Sequence, residues 1–260
     1  MRTKYTVKAH NAATASENRI HSDDVAKQYG FRGGLVPGVT VYAYMTRLPV
    51  ERWGREWIER GEMGARFVAP LYEGETAAVE AEETDGGRLD LRVINEEGNA
   101  CATGWARLPE GVEPPPVSEY PVAPLPGTRP AASPSTFADL TVLGSVEGGF
   151  RLDRAPEYLA EVADDHPLYW RVAHPGYLLR AANGVLTANV RLGPWIHTSS
   201  ECRHFSAVED GEKVTTRAKV KGTSERKGHR FVDLDVLITV GERPVMQVQH
   251  SAIYEIRPAT

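Results

Sequence analysis

The 260-residue sequence predicts an α+β fold built from two tandem copies of one unit, each a central helix wrapped by an antiparallel sheet. Three observations carry this expectation. The chain has a proline-rich break near its middle, landmarks recur across that break at nearly one spacing, and the order of elements is the same on both sides.

The break is the segment 108–137, which holds nine of the eighteen prolines, from Pro109 to Pro134. Proline fixes φ and has no N–H, so neither a regular helix nor a central strand is expected there. An extended, semi-rigid connector on the outside of the molecule is the natural reading. It divides the chain into an N-terminal unit, 1–107, and a C-terminal unit, 138–260.

The landmarks tie these units together. GARFVAPLYEGE in the first and ECRHFSAVEDGE in the second place Arg66 and Arg203, and likewise Gly74 and Gly211, 137 residues apart. Pro37-Gly38 and Pro175-Gly176 stand 138 apart. Internal duplication accounts for all three at once.

Each unit begins with a short strand, at 5–9 and 140–146. A Pro-Gly then opens an apolar helix, expected over 39–48 and 177–186, because the first N–H groups of a helix need no internal acceptor. Val, Thr and Tyr in the first helix would also suit a strand, so that assignment rests on the second copy. Strands are expected in FVAPLY, ETAAVEAEET, RLDLRVIN and ACATGWARL, then in KVTTRAKVKGTS, HRFVDLDVLITV and PVMQVQHSAIYEI. The clearest alternation is in RLDLRVI and FVDLDVLI, and turn residues such as DGG at 85–87 and EDG at 209–211 separate the runs.

Bulk properties exclude several classes. A net charge of −5 and no Lys/Arg run argue against a nucleic-acid surface. Cys101 and Cys202 are far apart and outside any CxxC pattern, which argues against a disulfide framework or a zinc site. No apolar run reaches the roughly 18 residues of a membrane span, and the N-terminus shows no apolar signal-peptide core. A cytoplasmic protein is expected.

One helix per unit inside a long antiparallel sheet is the hotdog arrangement, so the chain is expected to be a double hotdog. The stretch ASENRIHSDDVAKQYGFRGGLVPGV resembles the MaoC-like and hydratase-2 proteins, whose motif reads G-D-x-N-P-L-H, then a short helix, then a glycine opening the central helix. Asn18, Ile20 and His21 fall on the motif's Asn, Leu and His, and Gly38 falls on the helix entrance. Ser16 stands where the motif has Asp, with Glu17 beside it, and Arg19 stands where it has Pro. In the second unit DDHPLY keeps Asp164, Pro167 and Leu168, but Tyr169 takes the His position and His166 the Asn position.

The resemblance implies reversible addition of water to a 2-enoyl thioester carried on CoA or on a phosphopantetheine carrier. No metal or redox cofactor, nucleic acid or membrane is implied, and a homo-oligomer is left open. Such chemistry needs an acid/base group and a stabilised enolate oxygen. His21 titrates near neutrality and is the candidate acid/base. The competing reading is a hydrogen-bonded histidine at a helix start. Asn18 and the Glu17 carboxylate accompany His21. The N–H groups at Gly38 and Val39 are the candidate oxyanion site, a role that competes with simple packing. Asp164, His174 and Gly176 are the second-unit counterparts. The first unit is expected to hold the site, because it keeps 16 positions between His21 and Pro37, against 6 between Tyr169 and Pro175.

Two further features are weaker. Trp53 and Trp57, spaced i, i+4, are expected on one helical face, packed in the core or lining an acyl pocket. Arg226, Lys227 and Arg230 in SERKGHR could meet carrier phosphates, although a solvated loop is the commoner case. A hotdog thioesterase, or a non-catalytic acyl-thioester-binding or structural subunit, are the alternative functions, the latter kept open by Ser16.

Overall fold

The computed structural model describes residues 2–111 and 113–257. Its strands are β1 (Arg2–Lys8), β2 (Glu62–Phe67), β3 (Thr76–Glu83), β4 (Leu89–Ile94) and β5 (Ala100–Arg107), then β6 (Val142–Gly149), β7 (Ile196–His204), β8 (Lys213–Arg226), β9 (His229–Val240) and β10 (Arg243–Glu255). All pair antiparallel in one sheet ordered β1-β3-β4-β5-β2-β7-β10-β9-β8-β6. The helices are α1 (Asp23–Gln28), α2 (Gly38–Trp53), α3 (Arg55–Arg60), α4 (Pro134–Asp139), α5 (Ala155–Glu161) and α6 (Pro175–Asn189).

The strand order reads the same from both ends once each strand is matched to its counterpart in the other half. Strands β2 and β7 meet at the centre, in a register symmetric about Gly64 and Glu201. Glu62 faces Arg203 and Arg66 faces Ser199, so residues 137 apart exchange places about a local twofold. This is a double hotdog.

The two long helices lie together against the sheet. Every residue from Val39 to Thr46 in α2 is buried. A helix covered on all sides needs no apolar stripe, which is why its sequence looked as much like a strand as a helix. The α2–α6 approach is tight at Gly176, where a Cβ would sit 3.2 Å from the Ala43 Cα. Both helices run longer than the sequence predicts.

Four local expectations need correction. FVAPLY is not a strand: the chain leaves the sheet after Phe67, Pro70 has no N–H to give a ladder, and the Val68 and Ala69 N–H groups both turn to the Cys101 carbonyl. The connector is not irregular throughout, since α4 starts inside it. Pro134 takes a position that needs no N–H, and the Ser133 Oγ caps the Thr136 N–H at 3.0 Å. Trp53 and Trp57 do not share a helix, because Gly54 at φ 63° ends α2 between them. Trp57 is fully buried all the same. Strand β7 was not anticipated at all. The rest of the connector crosses the outer face of the sheet, where buried Tyr120 donates its hydroxyl to Asp235 of β9 at 2.9 Å.

No helix among the described residues is long and apolar enough to cross a membrane.

Candidate active site

A cavity of about 190 Å³ lies where the α2 entrance meets the start of β7. Its wall is mostly apolar, with Ile20, Phe31, Leu35, Val41 and Phe67 prominent. The polar groups that reach it include Asn18 and His21 from the first half and Asn183 and His197 from the second. Among the described residues, no carboxylate lines it.

His21 closes a short 3-10 turn, Arg19–His21, that Asn18 caps. The His21 Nδ1–H donates to the Leu35 carbonyl at 2.7 Å, which fixes the tautomer and leaves the Nε2 lone pair as acceptor. Asn18 Nδ2 donates to that nitrogen at 3.2 Å. The Asn18 amide also clamps the second half: it donates to the Trp195 carbonyl at 2.9 Å and accepts the Trp195 N–H at 3.1 Å. Burial in the apolar wall lowers the His21 pKa below 6.5, against a smaller opposing effect of the Leu35 carbonyl. The imidazole is therefore a neutral base at neutral pH.

Beside it lies the α2 entrance. Pro37 precedes the helix and offers no side-chain cap. The intrahelical bonds begin with Thr40 and Val41, whose N–H groups both donate to the Pro37 carbonyl. The Gly38 and Val39 N–H groups are thus without intrahelical acceptors at the positive end of the helix dipole. A Cβ on Gly38 would come within 3.0 Å of both the His197 Nδ1 and the Phe67 ring, so only glycine leaves this approach open.

Glu17 does not line this cavity. Its carboxylate turns away from the cavity into a bidentate pair with Arg129 of the connector, at 2.8 and 3.0 Å, and that hydrogen bond lowers its pKa. The one-residue offset from the motif position has sent the side chain in another direction. SERKGHR forms the β8–β9 hairpin, turning through Lys227 and Gly228 at positive φ, with Arg230 tied to Glu225 and Glu255.

The second helix entrance is built differently. The backbone hydrogen bonds keep the 137-residue spacing here too, so Pro37 is matched by His174 and Gly38 by Pro175, not Pro-Gly by Pro-Gly as the sequence suggests. The His174 Nδ1 accepts the Gly176 N–H at 2.9 Å. Its Nε2–H points at the Asp164 carboxylate at 3.3 Å, and burial keeps the ring neutral by lowering its pKa. The Tyr158 hydroxyl stands where a Gly176 Cβ would be, within 2.6 Å. Only about 60 Å³ of space remains beside it. Asp164, His174 and Gly176 are brought together, but as a self-capped and filled helix entrance. Asp164→Asn is accordingly expected to leave turnover unchanged. It should lower stability by about 1–3 kcal/mol, since the amide cannot accept both the His174 Nε2–H and the His166 N–H. Thermal melts alongside an activity assay check both halves of this statement.

Sequence reasoning missed Asn183, Trp195 and His197. Each is remote from the first-half motif in sequence and enters the cavity across the central strand pair or from α6.

The comparisons with known proteins bear on the fold. No family model matches the sequence, and no curated protein matches it. Solved structures do. A MaoC domain protein from Chloroflexus aurantiacus J-10-fl, assigned as a dehydratase, superposes with a TM-score of 0.67 at 11% identity, over 99% of this chain and 95% of that one. A conserved Mycobacterium tuberculosis protein described as having a double hotdog fold gives 0.65 at 15% identity, over 97% and 95%. A protein assigned as an oleoyl thioesterase from Lactobacillus plantarum gives 0.57 at 11% identity, over 100% and 98%. The whole chain is thus similar, end to end, to double hotdog proteins that include MaoC-like dehydratases.

Proposed function

We propose that the protein adds water reversibly to a short 2-enoyl thioester, carried on CoA or on a phosphopantetheine arm. The supporting observation is a neutral His21, with its Nε2 free of any proton, beside an uncapped helix entrance in an apolar cavity. The thioester oxygen rests on the Gly38 and Val39 N–H groups, where negative charge is favoured. A water displaces the Asn18 amide from the His21 Nε2. His21 takes a proton from that water as its oxygen bonds to C3 of the substrate. The C2–C3 π electrons move onto the thioester as an enolate, held by the helix entrance. Protonated His21 then returns its proton to C2, and the enolate collapses to the 3-hydroxyacyl thioester. Dehydration follows the same steps in reverse. The imidazole stays placed by its Leu35 hydrogen bond, and Asn18 still caps the turn that carries it and ties that turn to Trp195. One residue serves as base and then acid, so the cavity needs no carboxylate.

Ligand pockets usually hold about 300–1,000 Å³. At about 190 Å³ this cavity suits a short acyl chain, and crotonyl-CoA is the test substrate. Loss of the enoyl absorbance is expected with no release of thiol. The rate should rise with pH through a midpoint below 6.5 and stay level above it, because His21 acts in its neutral form. Thiol release without hydration would replace this reading with a thioesterase; a flat absorbance with tight acyl-CoA binding would replace it with a non-catalytic binder.

A further inference from the structure

His197 has a setting that packing alone does not explain. Within β7, Ser200 pairs with His250 and Ser199 with Ser251, yet His197 pairs with Ala252, so Thr198 is an extra residue, a β-bulge. Regular alternation would put Ser200 and His197 on opposite faces of the sheet. The bulge puts both on the inner face, where His197 is buried and lines the cavity.

The ring is then braced from behind. Its Nε2 lies 2.8 Å from the Ser200 Oγ, which lies 3.1 Å from the His250 Nδ1. The Nδ1 of His197 is buried with no protein partner, and it faces the Gly38 helix entrance. The Asn183 Oδ1, on the wall of the same cavity, is also buried and unpartnered. Of the twelve buried side-chain polar atoms without a partner among the described residues, these two, both from the second half, line this one cavity.

The proton arrangement follows from the one hydroxyl shared by two histidines. If Ser200 donated to His250, then His250 would carry its proton on Nε2, a buried N–H with no acceptor. If Ser200 donates to His197, then His250 donates to Ser200 and the proton of His197 sits on Nδ1. Each arrangement leaves one buried N–H and one buried lone pair unpaired, but the second turns its N–H to the cavity, where a ligand can accept it, and leaves only a lone pair on the His250 Nε2. A buried N–H needs its acceptor more than a lone pair needs a donor, so the arrangement whose N–H meets the ligand space is the one adopted here.

We propose that His197 is a further catalytic residue, donating its Nδ1–H to the thioester carbonyl oxygen held at the Gly38 helix entrance. Acid/base chemistry from the first half and part of the oxyanion site from the second would then meet on one substrate. Ser200 is a positioning residue that fixes the tautomer. This inference rests on the acyl-thioester reading of the cavity, and the tests below separate the two.

His197→Phe keeps a ring of similar size and removes both nitrogens, while His197→Asn returns an N–H near the Nδ1 position. With crotonyl-CoA, His197→Phe is expected to lower kcat about 10²–10³-fold with KM within a few-fold, the usual cost of one oxyanion donor. His197→Asn should recover at least tenfold of that loss. The second readout needs no turnover: the infrared stretch of the ¹³C-labelled thioester carbonyl in bound butyryl-CoA. It should lie at lower frequency in the wild type than in folded His197→Phe, and Ser200→Ala should fall between them. A folded His197→Phe with wild-type kcat and an unchanged carbonyl stretch overturns the proposal. Absence of hydration by the wild type, with the carbonyl shift still lost in His197→Phe, removes the hydratase reading and keeps His197 as the thioester ligand. No binding of butyryl-CoA by the wild type removes both.

Discussion

Replacing His21 with alanine is expected to slow hydration of a short enoyl thioester about 10²–10⁴-fold, the usual worth of a positioned acid/base group. The size follows from how much the ring is asked to do. In the proposed reaction it takes the proton from water and returns it to carbon, and among the described residues no carboxylate lines the cavity to stand in for it. The fold should survive, because the change removes two hydrogen bonds, to the Leu35 carbonyl and from the Asn18 amide, each worth about 1 kcal/mol, from a partly exposed side chain. Steady-state kinetics on crotonyl-CoA, with circular dichroism to establish folding, decides the point. Wild-type turnover in His21→Ala together with its loss in Asp164→Asn would move the chemistry to the α6 entrance.

The second large effect is on stability. His204 and His250 are fully buried, no acidic group among the described residues offsets this, and burial pushes each pKa down to about 4. His197, stacked on His250 with ring centroids 4.3 Å apart, is lowered well below its usual value by burial and by that neighbour. Above pH 6.5 these rings are neutral whether the chain is folded or not, and their full contribution to stability is present. Between pH 6.5 and about 4 the unfolded chain binds protons that the folded one refuses, so stability falls with pH. Below about 4 the native rings protonate too, and the loss levels off. A displacement of about 2.5 pKa units corresponds to roughly 3 kcal/mol per histidine. Two such groups remove an amount comparable with the roughly 5–15 kcal/mol that holds a typical domain together. A cooperative acid unfolding transition is expected between pH 4 and 6, moving to lower pH in His204→Phe. A protein that keeps its circular dichroism and its melting temperature at pH 4 would contradict this account.

Legibility of the sequence followed how local each feature was. That Asn18, His21 and Gly38 lie at one cavity was readable because the groups that orient them lie in the same short stretch: the cap of a 3-10 turn, the Leu35 carbonyl and the α2 entrance. The 137-residue spacing was readable because the central strand pair repeats it as register. Strand β7 was hidden because its sequence, IHTSSECRH, does not alternate; the bulge at Thr198 puts two polar residues inward three positions apart. His197 was hidden with it. Glu17 was misread for the opposite reason: a carboxylate beside a motif position looks available, and only the fold reveals Arg129, 112 residues away, waiting for it. Pro134 misled because a proline that breaks a helix from within also starts one well.

The unlike entrances of α2 and α6 have a consequence for how such a molecule can specialise. In a dimer of identical hotdog subunits, any substitution appears twice, so plugging one helix entrance plugs both. Joined in one chain, the halves are released from that constraint. The α6 entrance has taken His174 as an internal cap and Tyr158 as a stopper, while α2 keeps its amides bare. The plugged half is then free to act as a wall for the open one, lending Asn183, Trp195 and His197 to a cavity it does not own.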